Sequence, residues 1–285
     1  MEIIELNKNH SEIIHYNYKN IPVYFHKGHF SSYPFFTMTV HWHEDFELIL
    51  ILKGELTYIV NGKLINLKEG EGIFINSGRS HSAFMNKQTE CEYYVVLFHP
   101  VLLPGANNLK KPIEDYVHLT SKQTWQKEVI NYIERISKTF NEPTSEFSAV
   151  GALCFIWELF AIHLSSSFKT ISYNSFDTLK KMIIFIYENY TEKIYLADVA
   201  LAGCVSKRTC EHLFNRYIHR TPIEFINSYR LTRSIELLKN TNLPITEIAL
   251  TCGFSSPNYY AETFRKHMYI SPKEYRINLS DKGNK

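Results

Sequence analysis

The chain has 285 residues, 45% of them hydrophobic, with a formal net charge of +2. That suggests about two domains with packed cores. With no signal-peptide pattern and no run of the ~18 apolar residues a membrane span needs, a cytoplasmic location with no membrane partner is expected. Five cysteines (Cys91, Cys154, Cys204, Cys210, Cys252) have neither CxxC nor zinc-finger spacing, which fits reduced thiols rather than disulfides.

From about Ile21 to Phe98 the pattern is β. LILIL (48–52), LTYIV (56–60), GIFI (72–75) and YYVVLF (93–98) are β-rich runs punctuated by glycines. Asn61-Gly62 between two of them is a two-residue hairpin signal. Many short strands with glycine turns predict an antiparallel barrel or sandwich. Within it, His41-Trp42-His43, Glu47 and Gly54 read HxHxxxExxxxxxG, followed by Gly70, Gly78 and His81. This resembles the two cupin motifs, with Asn76 in place of the proline of the second and Met85 in place of its asparagine. Period-two spacing puts His41 and His43 on one strand face. Three His and one Glu (His41, His43, Glu47, His81) form a ligand set for Zn, Mn, Fe or Ni.

Three readings of this cluster stand side by side: a metal-dependent cupin enzyme, a metal-binding sensor, and a metal-free pocket that hydrogen-bonds a small molecule. The pocket is preferred, with His41, Trp42, His43, Glu47, His81 and Tyr94 as effector contacts. Tyr58 and Phe74 are further aromatics of the barrel. No cofactor is required on this reading, and a divalent metal is the alternative.

Residues 100–112 read as a loop leaving the barrel. Two helices follow. Trp125, Val129, Ile133, Ile136 and Phe140 make the apolar stripe of the first, which Asn141-Glu142-Pro143 ends. In the second, Phe147, Val150, Cys154, Trp157, Ala161 and Leu164 step by three and four, a heptad-like seam suited to a homodimer or, alternatively, to packing on the chain's own barrel or on the preceding helix. Polar residues 165–175 form the expected linker, and beyond them everything reads as helix. Leu179, Met182, Ile183, Ile186, Tyr187 and Tyr190 share one helical face.

The C-terminal third carries one pattern twice. SKRTCEHLFNR begins at Ser206 and SSPNYYAETFRK at Ser255, so that Phe214 matches Phe264 fifty residues on. Thr221-Pro222-Ile223-Glu224 likewise matches Ser271-Pro272-Lys273-Glu274. Each copy reads as an apolar helix (196–203; 245–252), a turn, and a second helix capped by Ser206 or Ser256. This is the helix-turn-helix pattern, whose second helix enters the major groove. The connector opens with a capping box at Thr221 and runs to about Asn240. Some 19 residues make a rod of roughly 28 Å, against ~34 Å between successive major-groove faces. Charge agrees: residues 1–174 hold 15 Lys/Arg and 18 Asp/Glu, whereas residues 175–285 hold 16 and 11. The duplicated part is the basic part, as a phosphate-binding module should be.

The stretch from about Ser175 to Ile277 resembles the DNA-binding domain of AraC/XylS-type transcription regulators, most specifically in ITEIALTCGFSSPNYYAETFRKHMYISPKEYR (245–276). The resemblance implies base contacts by Lys207, Arg208, Glu211 and His212 on the first recognition helix. On the second it implies Pro257, Asn258, Tyr259 and Glu262. Ser206, Arg216, Ser256, Arg265 and Lys266 are placed for phosphates. The family often has Arg near Glu262, which this chain lacks. Sensors of this family often bind sugars. The implied partners are double-stranded DNA, a small-molecule effector, a second copy of the chain and RNA polymerase.

The fold expected is therefore α+β in two domains: an N-terminal cupin-like β-barrel with two linker helices, then an all-α domain with two helix-turn-helix units. The partition is 1–112 effector barrel, 113–170 helical dimerisation segment and 175–280 DNA-binding domain. The expected function is an effector-controlled transcription regulator, not an enzyme. The alternative is a metallo-cupin enzyme or metal sensor fused to a DNA-binding domain.

Overall fold

The computed structural model describes residues 4–7, 10–85, 90–103, 114–164 and 174–282. The chain forms two compact units, 1–171 and 172–285. Most of the predicted linker and the end of the predicted 100–112 loop lie outside the described residues.

The N-terminal unit packs two antiparallel sheets face to face. One has the order β1 (Val23–His29), β8 (Glu92–Phe98), β3 (Phe46–Lys53), β6 (Gly72–Ile75), β9 (Tyr116–Leu119). The other has the order β2 (Thr37–His41), β7 (His81–Phe84), β4 (Glu55–Val60), β5 (Lys63–Lys68). The hairpin predicted at Asn61-Gly62 joins β4 to β5, and both residues adopt the positive φ its turn requires (46° and 83°).

β3 shows why its sequence is an unbroken apolar run. Ile49 and Ile51 point between the sheets, into a core with Met38, Tyr58, Ile73 and Tyr93. Phe46, Leu48 and Leu50 point to the opposite face, into a second core that includes Phe25, Phe74 and Val96. A strand buried on both faces has no polar side to alternate with. Two helices cover that outer face: α1 (Thr124–Thr139) and α2 (Ser145–Leu164). Val129, Ile133 and Ile136 of α1 and Ala149, Leu153, Ile156 and Phe160 of α2 belong to the same core as the strands. The helical segment is thus built onto the barrel. β9 was not predicted: its four residues pair with β6 at the sheet edge, too short a run to register as a strand.

The predicted seam on α2 requires one correction. Trp157 is buried and packs on Phe46, with ring centroids 4.9 Å apart, so it belongs to the barrel core. A step of three or four residues cannot separate neighbouring stripes on a helix apolar on most sides. Phe147, Cys154 and Ala161 are exposed, and Val150 and Leu164 half-buried. Phe155 and Ile162 are also exposed. Among the described residues this helix alone is long and apolar enough to cross a membrane by length and composition; here one of its faces packs on the barrel.

The C-terminal unit is helical: α3 (Asn174–Asn189), α4 (Leu196–Ala202), α5 (Lys207–Ile218), α6 (Pro222–Asn240), α7 (Ile245–Thr251), α8 (Pro257–Met268) and α9 (Pro272–Lys282). Phe214 and Phe264, the matched anchors, are fully buried, as are Ala200 and Ala249 where the paired helices approach. Arg230 on α6 donates to the carbonyls of Tyr190 (2.7 Å) and Glu192 (2.6 Å), tying the end of α3 to the connector.

Candidate functional site

Two sites arise from this framework. The first is the pair of helices α5 and α8. Each begins at a serine whose Oγ accepts from a backbone N–H three residues on: Ser206 from Thr209 (3.1 Å) and Ser256 from Tyr259 (3.2 Å). The Ser256 hydroxyl keeps a proton to donate, and that of Ser206 shares a 2.9 Å hydrogen bond with the Thr209 hydroxyl in which either donates; when Thr209 donates, capping and phosphate contact are compatible at Ser206 too. Between the helices, Thr221 and Glu224 close a reciprocal capping box at the start of α6, and Ser271 and Glu274 repeat it at α9.

Lys207, Arg208, Glu211 and His212 are all exposed on α5, and so is Asn215, which continues the same helical face. Asn215 is not among the residues the sequence predicts as base readers; its counterpart fifty residues on is Arg265. On α8, Asn258, Tyr259 and Glu262 are exposed and Pro257 is half-buried. The Tyr259 hydroxyl accepts from Asn227 of α6 at 2.8 Å, which orients the ring toward the connector. Tyr259 and Glu262 line a polar cavity with Asn227, His219, Arg220 and Lys266. Arg216, Arg265 and Lys266 are exposed.

The second site is inside the barrel. His41 ends β2 and pairs with His81 at the start of β7, in the same sheet. His43 lies between β2 and β3, and Glu47 reaches in from β3 of the facing sheet. All four are buried. The three ring nitrogens that share a cluster lie within 4.8 Å of one another.

Each imidazole is fixed by its other nitrogen: Nδ1 of His41 to the Thr39 carbonyl (2.9 Å), of His43 to Asp45 (3.0 Å) and of His81 to Arg79 (3.0 Å). A carbonyl only accepts, so each Nδ1 carries a proton and each Nε2 faces inward, where it offers a lone pair whenever the ring is neutral. Oε2 of Glu47 lies 3.5 Å from His43 Nε2 and 2.9 Å from His81 Nε2. None of these three atoms has an aligned hydrogen-bond partner. Acceptors converging in a buried place need a positive charge among them.

The sequence reading missed Glu12. Its Oε2 lies 3.4 Å from His41 Nε2 and 3.9 Å from His43 Nε2. No motif spacing links it to the cluster, because it stands 29 residues upstream of His41. Burial pushes its carboxyl up to about 7, with His43 pulling down and Glu47 and Asp45 adding to the rise. Burial acts on Glu47 the same way, but His81 and His43 outweigh it and hold that carboxyl well below the usual range. Burial, then His81 and His43, lower His41. His43 is raised despite burial, because Glu47, Glu12 and Asp45 surround it.

A cavity of about 260 Å³ opens beside the cluster, lined by Glu12, His41 and Glu47 with Tyr24, Tyr33, His26, Met38 and Tyr93 among others. Of the six predicted effector contacts only His41 and Glu47 line it; His43 and His81 lie in the cluster behind it, and Trp42 and Tyr94 lie elsewhere. Side chains alternate along a strand. Tyr93 faces the inner core, so Tyr94 faces outward, where its ring lies 5.4 Å from Phe25. Trp42 stands between two inward histidines and is buried apart from the cavity.

Residues 34–97 match the model of the cupin domain, and residues 199–278 match that of a helix-turn-helix domain. The chain is 25% identical over 287 aligned residues to an uncharacterized HTH-type transcriptional regulator, YdeC, of Bacillus subtilis, covering 97% of this chain and 99% of that protein. It is 22% identical to the HTH-type transcriptional activator RhaR of Mannheimia succiniciproducens, covering 93% and 96%. Among solved structures, apo ToxT of Vibrio cholerae aligns at 16% identity over 91% of this chain and 98% of that one, with a TM-score of 0.48.

Proposed function

We propose that this chain, a DNA-binding transcription regulator of the AraC type with a cupin-like N-terminal domain, reads two successive major-groove segments with α5 and α8 under the control of the barrel. The observation that carries the reading is the repeat itself. Two serine-capped helices with exposed polar faces are joined by one 19-residue helix with a capping box. That rod of roughly 28 Å suits a single turn of DNA.

Lys207, Arg208, Glu211 and His212 are the base readers of the first segment, and Asn258 and Glu262 of the second. Ser206, Ser256, Arg216, Arg265 and Lys266 hold phosphates. The first helix carries the greater share of affinity, because its face bears Lys207 and Arg208. The name of one relative, a transcriptional activator, supports activation; contact with RNA polymerase in the cytoplasm completes the proposal. Selection of bound sequences from a random DNA pool tests it: one preferred motif spanning two adjacent groove segments is expected, and binding without preference overturns it.

The barrel forms the effector part of this scheme, with β9 carrying it past the predicted boundary at 112 to Leu119; helices α1 and α2 form the self-association part and 175–280 the DNA-binding part. A small polar molecule of about monosaccharide size suits the cavity beside Glu12, His41 and Glu47. It acts by binding the DNA-competent and incompetent states unequally. A second copy of the chain is the partner for the exposed apolar face of α2. A thermal-shift screen of metabolites identifies the effector, since a ligand that binds the folded state raises its melting temperature.

A second reading of the barrel is a divalent metal held by His41, His43, His81 and Glu47. What supports it is the convergence of three Nε2 lone pairs, each fixed by an Nδ1–H to a backbone carbonyl, the usual outer arrangement of metal-bound histidines. Donors about 2.1 Å from one ion lie about 3.4 Å apart in a tetrahedral set, so the three nitrogens, within 4.8 Å of one another, would draw together on binding. On either reading the barrel binds rather than catalyses.

A further inference from the structure

Glu12 belongs to neither cupin motif, yet it reaches the histidines from a separate piece of chain. The segment around it folds back on itself: Leu6 and Glu12 form an antiparallel bridge, and the Ile13 N–H donates to the Glu5 carbonyl at 2.8 Å. Two bonds pin this hairpin to the barrel. The Glu12 N–H donates to the Trp42 carbonyl at 2.9 Å, between the first two histidines, and the Tyr16 hydroxyl donates to Asp45 at 2.8 Å. The carboxylate thus enters the cluster on a fixed backbone, with its side chain 20% exposed.

We propose that Glu12 is a donor to a divalent first-row transition metal in the barrel, alongside His41, His43, His81 and Glu47, so that the N-terminal hairpin closes the site from within the chain. This rests on the metal reading of the barrel and extends it to a residue outside the motifs. Charge is the first reason. Three neutral imidazoles and one carboxylate around a divalent ion leave a buried excess of one positive charge, and a second carboxylate cancels it. Position is the second. A catalytic metal keeps a coordination place open for substrate, and here a carboxylate of the chain lies within 4 Å of two of the histidines. The donor set of three nitrogens and carboxylate oxygens favours zinc, nickel, iron or manganese over calcium or magnesium. Loading and hairpin order are then coupled, because the ion binds the closed form and not the open one.

The test uses the full chain stripped by chelator and titrated with Ni(II) and Zn(II), with metal content measured after desalting. Amide hydrogen exchange over residues 10–16 and the visible spectrum of the Co(II)-loaded protein are followed in parallel. Wild type is expected to bind one ion per chain and to slow exchange in the hairpin on loading. Glu12→Gln should keep one ion at an affinity at least about tenfold lower, gain no hairpin protection and change the Co(II) spectrum. His81→Ala should lose the ion. Wild-type affinity, protection and spectrum in Glu12→Gln would overturn the role of Glu12 and leave the metal reading standing. No metal bound by wild type, or a full complement kept by His81→Ala, would remove the metal reading and Glu12 with it. Thermal melts of both apo variants confirm that they are folded.

Discussion

Phe147→Asp probes self-association without touching the barrel core. Phe147 is 78% exposed in the first turn of α2. An acidic residue there meets the positive end of the helix dipole, so folding should lose little. A phenylalanine buries about 200 Å² when covered, so about 150 Å² is still open on each copy. In a twofold dimer the position occurs twice, giving about 300 Å² and a ceiling of about 7 kcal/mol at 25 cal/mol per Å². If the partner covers half of it, about 4 kcal/mol is lost, roughly a thousandfold in the dimer dissociation constant. Sedimentation velocity at micromolar concentration is expected to give a dimer for wild type and a monomer for the variant, with melting temperatures within a few degrees of each other. A variant that stays dimeric would refute the assignment of this face. Trp157→Asp is unsuitable for the purpose: the ring is 6% exposed and packs on Phe46, so the barrel would be lost with the dimer.

Four further outcomes are expected. Arg208→Ala should weaken specific DNA binding by about 1–3 kcal/mol in fluorescence anisotropy; an equal loss on random DNA would reassign the residue to phosphate. Arg79→Ala strips the 2.7 Å partner from the buried Asp115 carboxylate and should cost about 3–5 kcal/mol in urea unfolding; a loss below about 1 kcal/mol would mean that water reaches Asp115. Burial pushes the Cys91 and Cys252 thiols up to about 12 and Cys210 to about 11, whereas Cys154 and Cys204 are exposed. Disulfide-exchange labelling at pH 8 should therefore show two fast thiols in dilute protein, with Cys154 slowing as concentration rises and Cys204 not; equal behaviour would place the dimer contact away from Cys154. Gly253 has φ +80°, and a Cβ there would strike the Tyr190 carbonyl. Gly253→Ala should lower the melting temperature of the C-terminal unit, and an unchanged melt would show that the turn can relax.

The DNA-binding half was legible because its signals are local. Ser206, Thr221 and Ser256 cap helices by contacts three residues long, and Phe214 and Phe264 repeat at fixed spacing. The barrel cluster was legible in part: the motif spacing picks out His41, His43, Glu47 and His81, but His43 lies past the end of β2 and not on its face, and the His41–His81 pairing is set by the sheet register. Glu12 was not, since an N-terminal hairpin delivers it and hydrophobic periodicity carries no trace of that contact. Trp42 and Tyr94 failed for the opposite reason. Aromatic character marks them as pocket residues, but Tyr94 sits one step along β8 from the inward Tyr93, and a one-residue step reverses the face, whereas Trp42 lies just past the end of β2. On α2 the helix was evident, but its apolar residues surround most of the axis, so the buried stripe could not be told from the exposed one.

That ambiguity on α2 bears on how the barrel could govern the rest of the molecule. Glu47, which faces the site, and Phe46, which faces α2, are neighbours on β3. Phe46 packs on Trp157, and Phe74 of the adjoining strand packs on Phe160 at 4.9 Å. The wall of the site is therefore also the floor beneath α2, one strand thick. Close-packed interiors pass displacements on rather than absorbing them, so a shift of Glu47 on binding has the backbone of Phe46 as its shortest outlet. Binding in the barrel and self-association through the outer face of α2 would then be linked reciprocally: dimerisation should tighten each barrel's affinity by the factor by which each occupied barrel tightens the dimer. Measuring both constants in wild type and in Phe147→Asp decides the matter, because a barrel affinity identical in monomer and dimer means that β3 transmits nothing.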